Sequence, residues 1–270
     1  MSKSAVDGVC EHLDGCKLDV EKISDEDLFK QPPPKEDCPI CFERIPTLHT
    51  GSKYKTCCGK VICSGCSYAR VYDNQGNEVV KRKCPFCRMP TPSTDEEAVE
   101  RTKKRVEEDN DPIAIGNLGC FYRDGTYGLS QDYGKALQLW HRAAELGYSN
   151  AYYCIAHVYQ EGRGVEVDKK KARYYYEQAA MRGYAVARHN LGVNEENAGN
   201  IEKALRHYMI AVRGGYAKSL EVIKQMYIDG LATKDDYTRA LRLYQEYLGE
   251  IKSPQRDKAA AINSKKYQYY

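Results

Sequence analysis

The 270-residue chain has no run of apolar residues as long as a membrane-spanning helix requires, which is about 18 or more. Its first residues, MSKSAVDGVCEHLDG, contain no apolar stretch of the kind that secretory signals carry. The net charge of +3 is too small to predict nucleic-acid binding by itself. From these absences we expect a protein of the cytosol or nucleus, with neither a membrane nor a nucleic acid as its partner.

Tryptophan and phenylalanine are scarce, with one and four residues, whereas tyrosine occurs 23 times. We interpret the tyrosines as packing residues of a core and its rim, not as a binding site for a cofactor. Apolar residues make up 42% of the chain and charged residues 29%, which is typical of folded proteins. The composition therefore predicts a globular chain.

Cysteine is abundant and unevenly distributed. Eight of the twelve cysteines lie between Cys38 and Cys87, with the spacing C-x2-C-x15-C-C-x4-C-x2-C-x17-C-x2-C. In the reducing cytosol or nucleus such a pattern favours metal binding over disulfides. The other four cysteines are expected to be ordinary thiols: Cys10, Cys16, Cys120 and Cys154.

Three C-x2-C pairs and one adjacent pair indicate zinc. Zinc takes four ligands in tetrahedral geometry, so eight thiolates suit two closed structural sites and two Zn2+ ions. About fifty residues bury little apolar surface, so metal binding would supply much of the folding free energy of this region. The predicted ligands are Cys38, Cys41, Cys57, Cys58, Cys63, Cys66, Cys84 and Cys87.

The sequence CPIC at the first pair and CPFCR at the last makes this region resemble a RING finger. The resemblance covers about residues 37–90. It implies a small cross-brace fold, in which the first and third pairs share one zinc ion and the second and fourth share the other. Two sequential zinc ribbons remain an alternative.

The second pair departs from the commonest RING pattern, because Lys60 stands where that pattern has histidine. A protonated lysine has no lone pair and cannot bind zinc. Cys57 supplies a fourth thiolate if the backbone bends so that it and Cys58 face one metal, and Gly59 permits such a bend. In the alternative, only one of the two cysteines binds and His49 or water completes the site.

The resemblance also implies a function, because RING fingers hold a ubiquitin-conjugating enzyme that carries ubiquitin. An apolar residue between the first ligands, a proline in the last pair and a basic residue after the last ligand are the implied contacts. Such a ligase positions the thioester and forms no covalent intermediate of its own. The corresponding residues are Ile40, Pro85 and Arg88, with Tyr68 and Val71 as weaker candidates and Phe86 expected in the core.

From Asp111 onward the chain repeats. Similar segments recur at intervals of 37, 36 and 32 residues, which is the period of a helical solenoid. The motifs EGRGVEVDKKKA and EQAAMRGYA make the array resemble Sel-1-like repeats, which are related to tetratricopeptide repeats. Each unit is predicted to contain two helices and to end at Gly-Tyr. The aligned segments begin at Ala114, Ala151, Ala187 and Ser219.

The predicted architecture is a small zinc-stabilised cross-brace domain followed by an all-α helix-turn-helix solenoid. Residues 1–36 form an acidic, largely disordered leader, 37–90 the zinc domain and 91–110 a connecting and capping helix. Four repeats follow at about 111–150, 151–186, 187–218 and 219–251, and a basic disordered tail occupies 252–270.

The functional hypothesis is a RING-type ubiquitin ligase. The zinc domain would bind the conjugating enzyme, and the repeats would bind a protein or peptide substrate or a scaffold. The alternative is a non-catalytic protein-interaction scaffold in which the zinc domain is structural. RNA binding through the basic residues of 38–90 is a more distant hypothesis.

Overall fold

The computed structural model describes residues 23–33, 36–47, 51–69 and 83–269. Among these residues no helix is both long and apolar enough to cross a membrane. The described elements are α1 (Asp25–Leu28), β1 (Ser52–Lys55), β2 (Lys60–Cys63), α2 (Ser64–Tyr68), α3 (Asp95–Glu108), α4 (Pro112–Asp124), α5 (Tyr133–Glu145), α6 (Ser149–Glu161), α7 (Lys169–Met181), α8 (Ala185–Asn197), α9 (Ile201–Arg213), α10 (Ala217–Ile228), α11 (Lys234–Ile251), α12 (Pro254–Ile262) and α13 (Ser264–Tyr267).

Helices α4 to α11 form a helix-turn-helix array, as the repeats predict. The two helices of each unit pack together in the pairs α4–α5, α6–α7, α8–α9 and α10–α11, and each pair packs on the next. Helix α3 packs on α4 and so covers the first unit. Thr94 caps α3 by accepting a hydrogen bond from the Glu97 amide at 3.2 Å, and α3 lies within the range 91–110 predicted for the connecting helix.

Recurring polar and glycine residues fix the helix ends. Asp132 and Asp168 cap α5 and α7 by accepting hydrogen bonds from backbone amides of the first turn. Gly147 and Gly183 follow those helices with φ of 86° and 84°, a left-handed conformation that glycine adopts without steric cost. The Gly-Tyr motif therefore ends one unit and directs the chain into the next.

Small residues let the paired helices approach closely. Trp140 of α5 is fully buried against Gly119 of α4, and its indole Nε1 donates to the Gly116 carbonyl oxygen at 3.1 Å. Tyr208 of α9 packs in the same way on Gly192 of α8. Alanines of the second helix in the first three units are also buried: Ala143, Ala144, Ala179, Ala180 and Ala211.

Gly119→Ala is expected to lower the free energy of unfolding by about 1–3 kcal/mol, since it overpacks this contact. A Cβ at this position would lie 2.6 Å from the Trp140 Nε1 atom. Gly249→Ala in α11 is the matched control, because its Cβ would meet no atom within 4 Å. Helix propensity predicts that the control gains up to about 1 kcal/mol. Urea unfolding of both variants measures the difference, and equal stabilities would contradict the packing argument.

Residues 37–90 form the cysteine-rich module, whose described parts contain one hairpin and one short helix. Strands β1 and β2 pair antiparallel with Ser52 opposite Cys63, and α2 follows β2 directly. At one end of the array, the Tyr54 hydroxyl donates to Asp111 at 2.8 Å. At the other end, the Thr47 amide donates to the Tyr247 hydroxyl at 2.9 Å. The module is thus attached to both ends of the array.

The predicted disorder of the tail, residues 252–270, is wrong. Residues 254–267 form α12 and α13, with Ser253 as the N-cap of α12. These helices pack on α2 of the module, where Tyr68, Ala259 and Tyr267 form a buried cluster. The tail is ordered because its apolar residues pack on Tyr68, which lies about 190 residues away in sequence. Local composition does not reveal a contact between residues so far apart.

The predicted leader, residues 1–36, is ordered over residues 23–33. Ser24 caps the single turn α1, and Leu28 is buried in the core of the array. The acidic composition of this stretch suggested disorder, but Leu28 and Phe29 pack on the repeats. Residues 1–22 lie outside the described residues, together with Cys10 and Cys16.

Candidate metal centre

The structure brings the eight cysteines of the module into two groups of four. In each group all four Sγ atoms lie within 4.8 Å of one another. The groups interleave along the chain, because the first and third pairs form one group and the second and fourth pairs form the other. Cluster 1 contains Cys38, Cys41, Cys63 and Cys66, and cluster 2 contains Cys57, Cys58, Cys84 and Cys87.

The sulfur positions fit a tetrahedral metal ion. Zinc binds thiolate at about 2.3 Å, so the sulfur atoms of a tetrahedral site lie about 3.8 Å apart. The Sγ atoms of Cys41 and Cys63 are 3.7 Å apart, and those of Cys58 and Cys84 are 3.8 Å apart. These separations are far longer than the bond of about 2.05 Å in a disulfide. Each cluster has the donor set and the dimensions of a structural zinc site.

The adjacent cysteines share one cluster because the hairpin turn places them there. Residues 56–59 form the turn between β1 and β2, and the amide of Gly59 donates to the Lys55 carbonyl oxygen at 2.8 Å. Gly59 has φ of 67°, which is the bend that the sequence predicts. Lys60 is exposed and its Nζ lies 6.0 Å from the centre of the Phe86 ring. His49, the alternative ligand, lies outside the described residues.

The two C-P-x-C segments adopt the same local geometry. The Cys38 amide donates to the Glu43 carbonyl oxygen at 2.9 Å, and the Cys84 amide donates to that of Met89 at 2.7 Å. In both segments the residue after the second cysteine is left-handed, with φ of 60° at Phe42 and 66° at Arg88. This conformation is uncommon for residues other than glycine. The fold of the segment therefore imposes the conformation of Arg88.

Burial makes the thiolate form costly at some cysteines of the clusters. Burial raises the pKa of the Cys41 thiol to about 11 and that of the Cys58 thiol to about 11. A divalent cation offsets this penalty because it binds the thiolate directly. Backbone amides add weaker support, since Cys63 donates to the Cys38 sulfur and Cys66 to the Cys63 sulfur, both at 3.4 Å.

Each cluster also has a basic side chain beside it. Arg256 of α12 is fully buried, and its guanidinium donates to the carbonyl oxygens of Ile251 and Glu43. Burial opposes its charge, but its hydrogen bond to Cys63 and the nearby thiols of cluster 1 raise its pKa. Lys55 lies beside cluster 2, where burial lowers its pKa and the thiols of that cluster act to raise it. Sequence reasoning missed Arg256, since only the fold of the tail brings it here.

The predicted partner contacts differ in exposure. Arg88 is exposed and Ile40 is half-buried, whereas Pro85 is buried and offers no surface to a partner in this conformation. Tyr68 is also buried, because it packs edge-to-face on Tyr267 of α13 with ring centres 5.6 Å apart. Phe86, expected in the core, is 44% exposed. Val71 lies outside the described residues.

A family model named Sel1 repeat matches three segments of the chain, residues 112–148, 149–184 and 225–246. The first two segments correspond to the first and second predicted units, and the third lies within the fourth. A solved Sel1 repeat protein from Oxalobacter formigenes is 33% identical, with a TM-score of 0.50 over 57% of this chain and 64% of that chain.

Two curated proteins are similar over part of the chain. An uncharacterized protein of Neisseria meningitidis serogroup B is 34% identical over 167 residues, which are 60% of this chain and 34% of the relative. A component of an ERAD-associated E3 ubiquitin-protein ligase of Arabidopsis thaliana is 33% identical over 129 residues, which are 42% of this chain and 20% of the relative. The chain thus spans about a third of the first relative and a fifth of the second. Together with the paired helices, these matches support an all-helical solenoid that contains Sel1-like repeats in the three matched segments.

Proposed function

We propose that the protein is an interaction scaffold in which a module with two zinc ions supports a Sel1-like repeat array. The observation that carries this proposal is the attachment of the module to both ends of the array. Tyr54 contacts Asp111, the N-cap of α4, while Thr47 contacts Tyr247 of α11. Zinc would act structurally here, since thiolates supply all four ligands of each cluster and leave no position for water or substrate.

The array would supply the binding surface. Stacked helical units form extended surfaces suited to a protein or peptide, and their binding residues lie on several units. The similarity to a ubiquitin-ligase component of Arabidopsis thaliana supports such a role beside a ligase. Under this proposal the module determines the geometry of the array and takes no part in chemistry.

A second function, that of a RING-type ubiquitin ligase, is favoured by the interleaving of the two clusters. This pairing is the one that the resemblance to RING fingers implies. Arg88 is exposed directly after the last cysteine, and Ile40 is half-buried between the first two. The buried Pro85 and the covered Tyr68 weigh against it, because they reduce the surface open to a conjugating enzyme.

Single-turnover discharge of ubiquitin thioester onto free lysine distinguishes the two functions. The scaffold proposal predicts that zinc-loaded protein leaves the discharge rate unchanged for every conjugating enzyme in a broad panel. The ligase proposal predicts acceleration by at least one enzyme. If the protein accelerates discharge from any enzyme of the panel, the proposal of a non-catalytic scaffold is wrong.

If discharge is accelerated, Arg88→Ala is expected to slow it about tenfold or more and to leave affinity for the conjugating enzyme nearly unchanged. The physical reason is that one charge-assisted contact in the reactive pose contributes about 1.5–3 kcal/mol. Ile40→Ala is expected to weaken binding instead, because it removes apolar contact. Lys60→Ala, another exposed cation of the module, is the control and should keep the wild-type rate. Equal rates for Arg88→Ala and wild type would refute this role of Arg88.

A further inference from the structure

Residues 23–33, called here the leader segment, occupy a groove between helices α7 and α9. Leu28 is 3% exposed and joins the core of the array. The Phe29 ring packs on His207 of α9 with ring centres 4.6 Å apart. The Arg206 guanidinium lies 3.8 Å from the centre of the same ring. The leader segment therefore binds as a short peptide would, through two adjacent apolar anchors.

The charges of the leader segment complement those of the groove. Asp25 forms an ion pair of 2.8 Å with Lys203 of α9. Its hydrogen bond to Lys203 and the nearby charges of Arg206 and Arg173 lower the pKa of its carboxyl group. The groove also contains acids, but Glu177 and Glu195 are both paired with Arg173, at 2.9 and 2.6 Å. Arg173 offsets only one of these two carboxylates, but Lys203, Arg206 and Arg188 add three positive charges, so the net charge around the groove is positive.

The floor of the groove contains donors that the leader segment does not use. Arg188 of α8 is 1% exposed and His207 is fully buried, yet neither side chain has a hydrogen-bond partner among the described residues. Such burial is costly for a guanidinium, and burial lowers the pKa of Arg188 to about 10. The leader segment places the Phe29 ring on His207, so a ligand with a carboxylate or carbonyl oxygen at this position would offer the His207 N–H an acceptor that Phe29 does not supply.

The groove continues beyond the anchors. Gln31, Pro32 and Pro33 line a cavity of about 250 Å³ together with Ile210 of α9 and Tyr247 of α11. The leader segment fills the groove incompletely at its floor and at this end. A ligand with a longer chain would make more contacts at this end, where Glu246 and Glu250 also line the cavity, and one with an additional acidic group would make more contacts at the floor.

We propose that this groove is a binding site for an acidic peptide segment of a partner protein with adjacent apolar anchors, and that the leader segment is its tethered competitor. This inference rests on the proposed role of the array as an interaction surface. A tethered ligand lowers the fraction of molecules whose groove is free, and the apparent affinity for an external peptide falls by the same factor. Displacement of the leader segment would then couple partner binding to release of the N-terminal region.

The test uses the full chain and a fluorescein-labelled peptide with the sequence of residues 23–33, ISDEDLFKQPP. Fluorescence anisotropy gives its dissociation constant for wild type and for Phe29→Ala. The variant weakens the tethered competitor, so we expect it to bind the peptide at least tenfold more tightly than wild type does. Asp25→Lys, at an exposed position, is expected to act in the same direction by about threefold without disturbing the core.

Charge in the groove is tested in the Phe29→Ala background. Arg206→Glu is expected to weaken peptide binding at least tenfold, and Arg239→Glu, an exposed arginine of α11, is expected to leave it unchanged. A peptide of scrambled sequence should not bind. Peptide binding does not depend on thioester discharge, so a failure here is distinguishable from a failure of the scaffold proposal.

Two results would overturn the proposal. If folded Phe29→Ala and Asp25→Lys proteins both bind the peptide no better than wild type, the leader segment is a structural part of the core. If wild type is a dimer in solution and Phe29→Ala is a monomer, the groove binds the leader segment of a second copy. Circular dichroism and sedimentation of each variant accompany the binding measurements.

Discussion

Cys57→Ser is expected to lower the zinc content of the protein from two ions to one, and Cys58→Ser is expected to do the same. Both thiols belong to cluster 2, and each substitution removes one of four ligands from a tetrahedral site. Structural zinc contributes about 10–16 kcal/mol in small domains, which exceeds what a core of this size supplies. We therefore expect the module to lose its fold around cluster 2. Zinc counting by mass spectrometry measures the outcome.

Cys120→Ser is the matched control, because Cys120 lies in α4 of the array and should leave both zinc ions bound. Far-ultraviolet circular dichroism should show that most helix survives in the cysteine variants. Helices α12 and α13 should also survive, because they pack on α2, which carries Cys66 of cluster 1, and that cluster keeps its zinc ion. Two tightly bound zinc ions in Cys57→Ser would show that the assignment of adjacent ligands is wrong.

The spacing of the cysteines predicts two sets of four, but it does not predict which pairs combine. Two sequential ribbons would satisfy zinc equally well, and only the resemblance to RING fingers implied the interleaved arrangement. The structure adds the reason why Cys57 and Cys58 face one cluster. They lie in the turn of a hairpin whose first strand ends at Lys55 and whose second strand begins at Lys60. A turn of this kind is a local feature, and Gly59 made it predictable.

The repeats were predictable for a different reason. Each unit packs on its neighbours in sequence, so the period, the small residues and the Gly-Tyr ends carry the information for the array. The leader segment and α12 lack this property, because each is ordered by contacts with residues far away in sequence. Leu28 packs on the repeats and Arg256 reaches the module. Their local sequences are polar and charged, so composition alone suggested disorder.

Arg256→Met is expected to lower the free energy of unfolding of the zinc-loaded protein by about 3–5 kcal/mol. Four thiolates around one Zn2+ ion carry a net negative charge, and Arg256 is the buried cation beside cluster 1. The substitution removes the positive charge that lies beside the negatively charged zinc–thiolate cluster. It also leaves the carbonyl oxygens of Ile251 and Glu43 without a donor. Urea unfolding measures the loss of stability.

Arg44→Met is the matched control. Arg44 also links the module to α11, through an ion pair of 3.0 Å with Glu250, but both side chains are exposed, at 37% and 52%. Exposed ion pairs contribute about 0–1 kcal/mol, so the control should remain close to wild type. We expect a large loss of stability for Arg256→Met and a small loss for Arg44→Met. This difference would show that Arg256 stabilises the protein because it is buried beside the cluster, and not merely because it links the module to the array.

The rate of zinc release distinguishes the electrostatic contribution of Arg256 from its contribution through packing. Residues that surround metal ligands commonly change metal affinity by 10- to 100-fold, so one of the two zinc ions should leave Arg256→Met at least tenfold faster in excess chelator. The other ion, in cluster 2, should leave at the wild-type rate. Arg256→Lys keeps the charge but loses the fork that reaches two carbonyl oxygens, so it should recover slow release but only part of the stability. If both ions leave Arg256→Met at wild-type rates while stability falls, Arg256 contributes through packing and hydrogen bonds alone, and the electrostatic role assigned to it is wrong.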